Sequence, residues 1–374
     1  MPANAGIQVR TTPTPRAWIP ASAGMTRRGR CYTMTEFSRI RLLAMFKSYI
    51  RHSCIAAAIV ILNVFKLATS VYAADTVRLA FSSFSATNAG FLTAIEEKLF
   101  EKRGIDLVHV YIASSSIALP AVITREVDFA TLSGEAVIRA YHSGARNLAI
   151  VGTQLDKFTF SLYTKPEIKV SQDLRGKILA VSRFGGSLDI SLRYGLQHVG
   201  LDPKKDNITL VQAGGVQEIM ASLTSGKVDG AMLLSVYAFR AKELGFRELI
   251  DLGSLDVLFP QGVTVSTKEF VRDKRDVARR FMAAYFDGLD LFLKNPRIGK
   301  KALARFTGIK EEKYLDGDYA QYTEKYLNKP MTTEPRMLSI VFDRIPVSSA
   351  EERDKIFKGL VDNSLIAEAR GLRK

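Results

Sequence analysis

From Asp75 onwards, short apolar runs alternate with segments whose apolar residues recur every three or four positions. This alternation predicts β-strands followed by amphipathic helices, as in an open sheet built from βα units. A first series of these units ends at Thr153, and a second runs from Gln172 to Leu252. The predicted strands are 76–81, 106–112, 127–132, 148–153, 177–181, 208–212, 228–233 and 249–252, and the predicted helices are 88–103, 115–125, 134–143, 187–199, 216–225 and 236–244.

The two series contain a similar segment at the same place. Residues 126–132 (EVDFATL) follow a predicted helix and form a predicted strand, and residues 227–233 (KVDGAML) do the same 101 residues later. A period of this length is too long for a solenoid, so it predicts two similar α/β lobes. The alternative is a chance similarity between two generic helix–turn–strand units.

Two short β-rich stretches, 158–163 and 262–266, are placed to join the lobes as two hinge crossings. After Ser266 the chain is predicted to be almost wholly helical, and we expect this tail to pack on the first lobe. The predicted tail helices are 275–293, 298–306, 311–327 and 349–365. The predicted first lobe is 75–160 plus 263–374, and the predicted second lobe is 161–262.

The segment before these units has the organisation of an export signal. Four basic residues within 39–51 precede an apolar run at 55–65. Val71 and Ala73 then stand at the −3 and −1 positions of a small-residue cleavage site. We therefore expect residues 34–74 to be a cleaved signal peptide that directs the protein to the periplasm.

A membrane anchor is the alternative to a cleaved signal. Lys66 interrupts the apolar run well short of the roughly 20 residues that span a bilayer, which favours cleavage. Residues 1–33 lack periodicity, so we expect a disordered extension, or one that comes from an upstream start codon.

The predicted signal carries much of the charge and both cysteines. The chain has a formal net charge of +15, but residues 1–74 contain ten basic residues and one acid, and the remainder carries +6. This weakens the case for a nucleic-acid partner. Without Cys31 and Cys54 the mature protein has no disulfide, thiolate metal site or cysteine nucleophile. Cys54 precedes the apolar run, so no lipoprotein anchor is expected.

The sequence lacks the usual motifs of catalysis. His109, His142 and His198 are isolated from one another and from cysteines. There is no phosphate-binding loop, dinucleotide fingerprint or nucleophile elbow. The carboxylates are scattered over predicted helix surfaces, where a solvated role is typical. We therefore predict no catalytic residue, no metal and no cofactor.

Polar loops follow four predicted strands, at the carboxyl ends where open α/β sheets bind ligands. Their hydroxyl and N–H groups can contact a ligand. The alternative for the serines is helix capping, and the alternative for an aromatic residue is packing in the core. The candidate ligand-binding residues are Ser83, Phe84, Ser85, Ser133, Gly134, Arg183, Phe184, Gly185, Gly186, Ser187, Ser235 and Tyr237.

Residues 182–187 (SRFGGS) are the strongest candidates. Two glycines allow close approach to a ligand, and Ser187 opens a predicted helix whose free N–H groups favour anions. Arg183 can pair bidentately with a carboxylate or sulfonate, or form a salt bridge with an acid such as Asp189.

In order and spacing, these segments resemble the nitrate, taurine and aliphatic-sulfonate substrate-binding proteins of ABC transporters. That family shares its fold with thiamine-pyrimidine synthases. The similarity covers residues 76 to about 266. The matching segments are 97–105 (EKLFEKRGI), 126–130 (EVDFA), 173–177 (DLRGK), 182–186 (SRFGG), 200–203 (GLDP) and 225–231 (SGKVDGA).

The resemblance implies an α/β, two-lobed periplasmic-binding-protein fold of type II, with two hinge crossings and a helical C-terminal tail. It implies a monomer that captures a small anionic or other polar organic ligand and delivers it to an ABC permease in the inner membrane. Nucleic acid is not an expected partner. Two alternatives stay open: a same-fold enzyme, either thiamine-pyrimidine synthase-like or chorismate-dehydratase-like, and a sensory module for a membrane receptor. The synthases' Cys-rich iron-linked segment is missing, which counts against the enzyme.

Overall fold

The computed structural model describes residues 74–347 and 349–373, which belong to one compact unit. The predictions for the N-terminal extension, the signal peptide and both cysteines lie outside the described residues. None of the described helices is long and apolar enough to cross a membrane.

Strands and helices alternate through most of the described chain. The strands are β1 (Asp75–Phe81), β2 (Ile105–Tyr111), β3 (Phe129–Leu132), β4 (Leu148–Lys157), β5 (Ser161–Thr164), β6 (Ile178–Val181), β7 (Thr209–Gln212), β8 (Gly230–Leu233), β9 (Arg247–Asp251) and β10 (Leu258–Thr267). The helices are α1 (Ala89–Glu96), α2 (Ser115–Ile123), α3 (Gly134–His142), α4 (Ser187–His198), α5 (Val216–Thr224), α6 (Ser235–Glu243), α7 (Lys268–Asp273), α8 (Arg275–Lys294), α9 (Pro296–Thr307), α10 (Glu312–Gln321), α11 (Pro335–Phe342), α12 (Ala350–Leu360) and α13 (Ser364–Gly371).

The strands form two five-stranded sheets with the same layout, β2-β1-β3-β10-β4 and β7-β6-β8-β5-β9. In each sheet the first three strands in this order are parallel to one another. The strand in fourth place runs antiparallel to the strands on both sides of it. The antiparallel strand, β10 or β5, is the one that enters after the chain has crossed from the other sheet. We call each sheet with its packed helices a lobe. The predicted two-lobed α/β fold is confirmed, whereas the residue limits of the lobes stay a prediction.

The repeated Val-Asp pair has the same structural role in both lobes. Asp128 precedes β3, and its Oδ2 accepts a hydrogen bond of 2.8 Å from the backbone N–H of Arg78 on β1. Asp229 precedes β8, and its Oδ2 accepts one of 2.9 Å from the N–H of Ile178 on β6. Each carboxylate also pairs with a base, Arg78 or Lys165, at 2.8 Å. The repeat therefore marks equivalent positions where a carboxylate ties a central strand to its neighbour, which argues against a chance similarity.

The connections between the sheets differ in part from the predicted crossings. Residues 158–160 link β4 to β5, within the first predicted crossing. The return connection is 252–257, and the predicted crossing at 262–266 lies inside β10 of the first sheet. β10 is buried along nearly its whole length, with polar and apolar residues alike, so its sequence gives no sign of which sheet it joins.

The first predicted helix is broken in the structure. α1 ends at Glu96, and Lys98 takes a left-handed conformation with φ of 56°. A separate turn, Glu101–Arg103, then leads to Gly104 with φ of 68°. The turn lets Phe100 enter the core of the first lobe, where it is 2% exposed. Burial of this ring thus offsets the interruption of the helix.

The helical tail packs on both lobes. On the first lobe α8 crosses α1 so closely that a Cβ on Gly288 would lie 2.1 Å from the Gly90 carbonyl oxygen. Phe281 of α8 stacks on Phe129 of β3 with ring centroids 4.1 Å apart. On the second lobe α10 approaches α6, where a Cβ on Gly317 would lie 2.8 Å from Cζ of Phe239. The contact with the second lobe was not predicted from the sequence.

Candidate functional site

A cleft lies between the lobes at the carboxyl ends of their parallel strands. Its larger part, the aromatic chamber, has a volume of about 300 Å³. Its lining comes from the first lobe, the second lobe and the tail: Ser83, Phe84, Ser85, Tyr111, Ala113, Gly215, Val216, Gln217, Glu218, Leu234, Ser235, Val236, Tyr237, Phe306 and Thr307. The register of β1 and β2 pairs Phe81 with Tyr111, so the two strand ends meet at this edge. This is the place where open α/β sheets bind ligands.

A narrower part, the serine chamber, has a volume of about 50 Å³. It shares six residues with the aromatic chamber and is otherwise lined by Ser82, Ser114, Ser115, Phe160, Ser182, Ser187 and Leu188. Three other hollows, of about 340, 490 and 620 Å³, are larger. The two largest lie over tail helices away from these strand ends, and the third adjoins the aromatic chamber at Val236 and Tyr237. The cleft is therefore the better candidate for a ligand site.

Half of the predicted ligand-binding residues line the cleft. Five line the aromatic chamber, and Ser187 lines the serine chamber. The five are Ser83, Phe84, Ser85, Ser235 and Tyr237. The remaining six line neither chamber in this structure: Ser133, Gly134, Arg183, Phe184, Gly185 and Gly186.

Ser133 and Gly134 have packing roles beside the cleft. The backbone N–H of Ser133 donates a hydrogen bond of 2.9 Å to Oγ of Ser115. A Cβ on Gly134 would lie 2.5 Å from the carbonyl oxygen of Pro260, so glycine lets α3 start directly against β10. These contacts place Ser133 and Gly134 beside the serine chamber, and their contact with a ligand stays a prediction.

The two glycines of 182–187 bring the lobes together. A Cβ on Gly186 would lie 2.4 Å from Oγ of Ser114, across the cleft on α2. Beside it, the hydroxyls of Ser115 and Ser187 are 3.3 Å apart. Gly185 takes φ of 74°, which favours glycine. The predicted close approach exists, but it joins one lobe to the other.

Arg183 and Phe184 face solvent in the described structure. Phe184 is 45% exposed, and its N–H donates to Oε1 of Gln212 at 2.9 Å. Arg183 is exposed and forms no salt bridge with a described residue. Its predicted structural partner, Asp189, instead accepts hydrogen bonds from Gly185 and Arg193. The salt bridge considered for Arg183 is therefore absent among the described residues, and its contact with a ligand stays a prediction.

Aromatic rings surround the larger chamber. Phe84 stacks on Tyr111 with centroids 5.4 Å apart and an interplanar angle of 26°, and it contacts Phe306 at 5.4 Å. Burial, and then the negative charge of Glu218, raise the pKa of the Tyr111 phenol. A Cβ on Gly215 would lie 2.8 Å from Oε2 of Glu218 and 3.2 Å from the Tyr111 hydroxyl. A glycine at this position leaves open the space that both groups face.

A buried carboxyl stands behind this chamber. Asp318 of α10 is fully buried, and desolvation raises its pKa to about 7. The adjacent hydroxyl of Ser235 opposes this shift, although no hydrogen bond of ordinary geometry reaches either Asp318 oxygen. Ser235 is 4% exposed, lines the chamber, has no partner for its hydroxyl and takes φ of 58°. Such a backbone conformation is costly outside glycine and is common at functional sites.

Four important residues of the site were missed by the sequence analysis. Tyr111 ends the second strand of the first series and Gly215 follows the second strand of the other, so the repeat could have found them as neighbours of equivalent strand ends. Phe306 and Asp318 come from the tail, where no local pattern distinguishes them from other amphipathic helix residues. The tail therefore completes a cleft that the sequence assigned to the two lobes alone.

The chemical groups of the cleft are few. Among the described residues that line either chamber, the titratable side chains are Tyr111, Glu218 and Tyr237. The described part of the chain also contains no group of three His, Cys, Asp or Glu side chains that could hold a metal. The arrangement offers aromatic faces, hydroxyls and one carboxylate to a ligand.

Comparison with known proteins identifies the family. The NMT1/THI5-like family profile matches residues 85–298. No curated protein matches the chain.

Among solved structures, the periplasmic nitrate-binding protein of Synechocystis PCC 6803 is 15% identical with a TM-score of 0.66, covering 79% of this chain and 88% of that one. The alkanesulfonate-binding protein of Xanthomonas axonopodis pv. citri, bound to MOPS, is 17% identical with a TM-score of 0.61, covering 79% and 97%. A desulfurization enzyme, DSZB, is 14% identical with a TM-score of 0.55, covering 80% and 100%. At these identities the likeness shows the fold. The chain therefore belongs to the NMT1/THI5-like family and has the periplasmic-binding-protein fold.

Proposed function

We propose that this protein is the solute-binding component of an ABC importer and captures a small polar organic molecule between its lobes. The observation that carries the proposal is the cleft of about 300 Å³ at the strand ends of both lobes. Sites of this size with aromatic walls and a few convergent polar groups are typical of small-molecule binding.

The contacts across the cleft support capture by closure. Gly186 touches Ser114, and Ser115 meets Ser187, so a ligand in the cleft is held from two sides. The lobes are joined by two short connections, 158–160 and 252–257, a number and length suited to hinge motion. We propose that Ser83, Phe84, Ser85, Ser187, Ser235 and Tyr237 contact the ligand.

The residues of the cleft fit ligand binding better than catalysis. The described lining carries Glu218 and two tyrosines but no nucleophile–base pair, which acyl or proton transfer would need. Several similar structures are named for binding proteins, and one is named for an enzyme. We therefore propose a non-enzymatic role, with export to the periplasm, an inner-membrane permease as partner and a monomeric state.

Two measurements test ligand capture. Native mass spectrometry of protein isolated from the periplasm should show a bound small molecule, and small-angle scattering should show a smaller radius of gyration with ligand than without. Saturation at 100 times the Kd should add about 2.7 kcal/mol to the free energy of unfolding. Turnover of the bound molecule would contradict the proposal and favour the enzyme.

A genetic experiment separates the importer from a sensory module. Deletion of the partner permease should abolish uptake of the ligand if this protein feeds an importer. Uptake that survives the deletion, together with a lost transcriptional or behavioural response to the ligand, would contradict the importer. Deletion of this protein's gene serves as the matched control, since both deletions should give the same uptake defect.

A further inference from the structure

The charge of the cleft distinguishes between classes of ligand. Among the described residues that line either chamber there is no Lys, Arg or His, and Glu218 is the one carboxylate. Arg305, which adjoins Phe306, is bound to Glu96 at 2.6 Å. Arg240 lines a neighbouring hollow that also contains Glu311. A negatively charged ligand would thus find no basic side chain in the lining described here.

Helix N-termini also favour anions, and two of those beside the cleft already have a carboxyl group of the chain in their first turn. Asp189 lies in the first turn of α4, and Glu218 in the first turn of α5. α2, which begins at the serine chamber, and α6, which begins at Ser235, have no acidic residue in their first turns. The N-termini of α4 and α5 therefore do not require negative charge from a ligand, and Glu218 places that charge beside the aromatic chamber.

The walls of the aromatic chamber suit a positively charged group. Phe84, Tyr111, Tyr237 and Phe306 present rings around one space, and ring faces attract cations. Glu218 and Tyr111 both face the opening left by Gly215. The surroundings therefore combine aromatic faces with a carboxylate, the two features that stabilise a cationic nitrogen.

The serine at the rear of the chamber has a free hydroxyl that can hydrogen-bond to a ligand. Ser235 is 4% exposed and lines the chamber, and its hydroxyl has no hydrogen-bond partner. When its proton is directed towards an ionised Asp318, its lone pairs can accept a hydrogen bond from an ammonium or other N–H group in the chamber. When Asp318 is protonated, the same hydroxyl can donate instead, so the preference for a cation rests on the aromatic rings and Glu218.

Resting on the proposed function, we propose that the ligand is an organic cation whose positively charged nitrogen lies among Phe84, Tyr111, Tyr237 and Phe306 beside Glu218. This assigns to the cleft a ligand of opposite charge to the one expected from Arg183. The ligand's charged nitrogen contacts the rings and Glu218, and its remaining part extends towards the serine chamber.

Three probes of similar size test the charge preference: benzylamine, benzyl alcohol and phenylmethanesulfonate at pH 7.5. Calorimetric titration of the mature protein should give a Kd for benzylamine on the order of tenfold lower than for benzyl alcohol. Phenylmethanesulfonate should bind more weakly than either. Equal binding of benzylamine and benzyl alcohol, or tighter binding of the sulfonate, overturns the proposal.

Glu218→Gln keeps the shape of the side chain and removes its charge. It should weaken benzylamine binding on the order of tenfold and change benzyl alcohol binding less than about twofold. Glu167→Gln, at an exposed position outside the cleft, is the matched control and should leave both unchanged. A Glu218→Gln variant that binds benzylamine as well as the wild type overturns the proposal.

A second pair of variants tests the aromatic wall. Tyr237→Phe should retain benzylamine binding, while Tyr237→Leu should lose most of it, because leucine keeps the apolar bulk without the ring face. Equal affinity of the two variants for benzylamine would contradict the proposal that the aromatic wall binds a cation. These results are separable from the proposed function. Tight binding of an anion in the cleft would contradict the proposal that the ligand is a cation, but it would still support the proposal that the protein binds a solute.

Discussion

The two chambers of the cleft are built from the same kind of strand-end loop and differ in the size of the residues that face each other. At and beside the serine chamber, Ser187 meets Ser115 and Gly186 meets Ser114, and the lobes touch. In the aromatic chamber bulky rings face across the cleft, and about 300 Å³ stays open. Small residues therefore allow closure, and large ones hold the space that a ligand occupies.

The carboxyl groups behind the chambers differ as well. Asp189, behind the serine chamber, is 4% exposed and pairs with Arg193 at 2.8 Å. Asp318, behind the aromatic chamber, is fully buried and has no basic partner among the described residues. A buried carboxyl without a partner prefers its protonated form. The protonation of this wall is thus expected to depend on pH near neutrality.

The largest expected effect is the pH dependence that Asp318 gives to stability. Its pKa is raised to about 7 by burial, against an ordinary value near 3.8 in the unfolded chain. Between these values the folded state holds a proton that the unfolded state has lost, so the free energy of unfolding falls as pH rises. The total change from this group is up to about 4 kcal/mol.

Asp318→Asn should remove this contribution, since the amide does not ionise. Urea unfolding at pH 5 and pH 8 should show a smaller loss of stability in the variant than in the wild type. Asp316→Asn, two residues earlier and 57% exposed, is the control and should keep the wild-type pH dependence. A wild-type protein whose stability does not fall over this range would show that Asp318 is ionised in the fold.

The two-lobed fold could be predicted from the sequence, but the contribution of the tail to the aromatic chamber could not. Asp128 and Asp229 each accept a hydrogen bond from a neighbouring strand, and each lies in a short segment with a similar sequence. The recurrence of that segment is what predicts two lobes. Phe306 reaches the cleft through packing of the tail on the first lobe, beside Phe84, and Asp318 lies behind it through packing of α10 on α6. That packing joins residues more than 70 positions apart, and no local pattern encodes it.

The loop at 182–187 shows a second limit. Its glycines predict a close approach of backbone to another group, and this approach occurs. A sequence cannot tell whether the group is a ligand or the opposite lobe, because both need the same absence of a side chain. The contact of Gly186 with Ser114 identifies the opposite lobe in this structure.

The next largest effect tests closure at the serine chamber. Gly186→Ala places a methyl group 2.4 Å from Oγ of Ser114, while its φ of −85° suits alanine. Overpacking of this kind costs about 1–3 kcal/mol, and most of it falls on the closed state, because the other close contact, 3.2 Å from the Arg183 carbonyl oxygen in the same loop, is milder. Ligand affinity should fall about tenfold or more, with little change in the stability of the unliganded protein.

Calorimetric titration and thermal unfolding of Gly186→Ala measure the two quantities. Gly371→Ala adds the same methyl group where no atom lies within 4 Å, and it should change neither. Equal loss of affinity and of unliganded stability would indicate that Gly186 supports folding of the second lobe and does not serve closure.

The smallest expected effect concerns Arg183. Its side chain is exposed and outside both chambers, so Arg183→Ala should change ligand affinity by less than about twofold. Arg193→Ala is an informative companion, because Arg193 pairs with Asp189 behind the serine chamber and lies over the ring of Phe184. Calorimetric titration of both variants should show the greater loss for Arg193. A tenfold loss of ligand affinity in Arg183→Ala would mean that the Arg183 guanidinium contacts the ligand. That contact would favour an anionic ligand in the cleft.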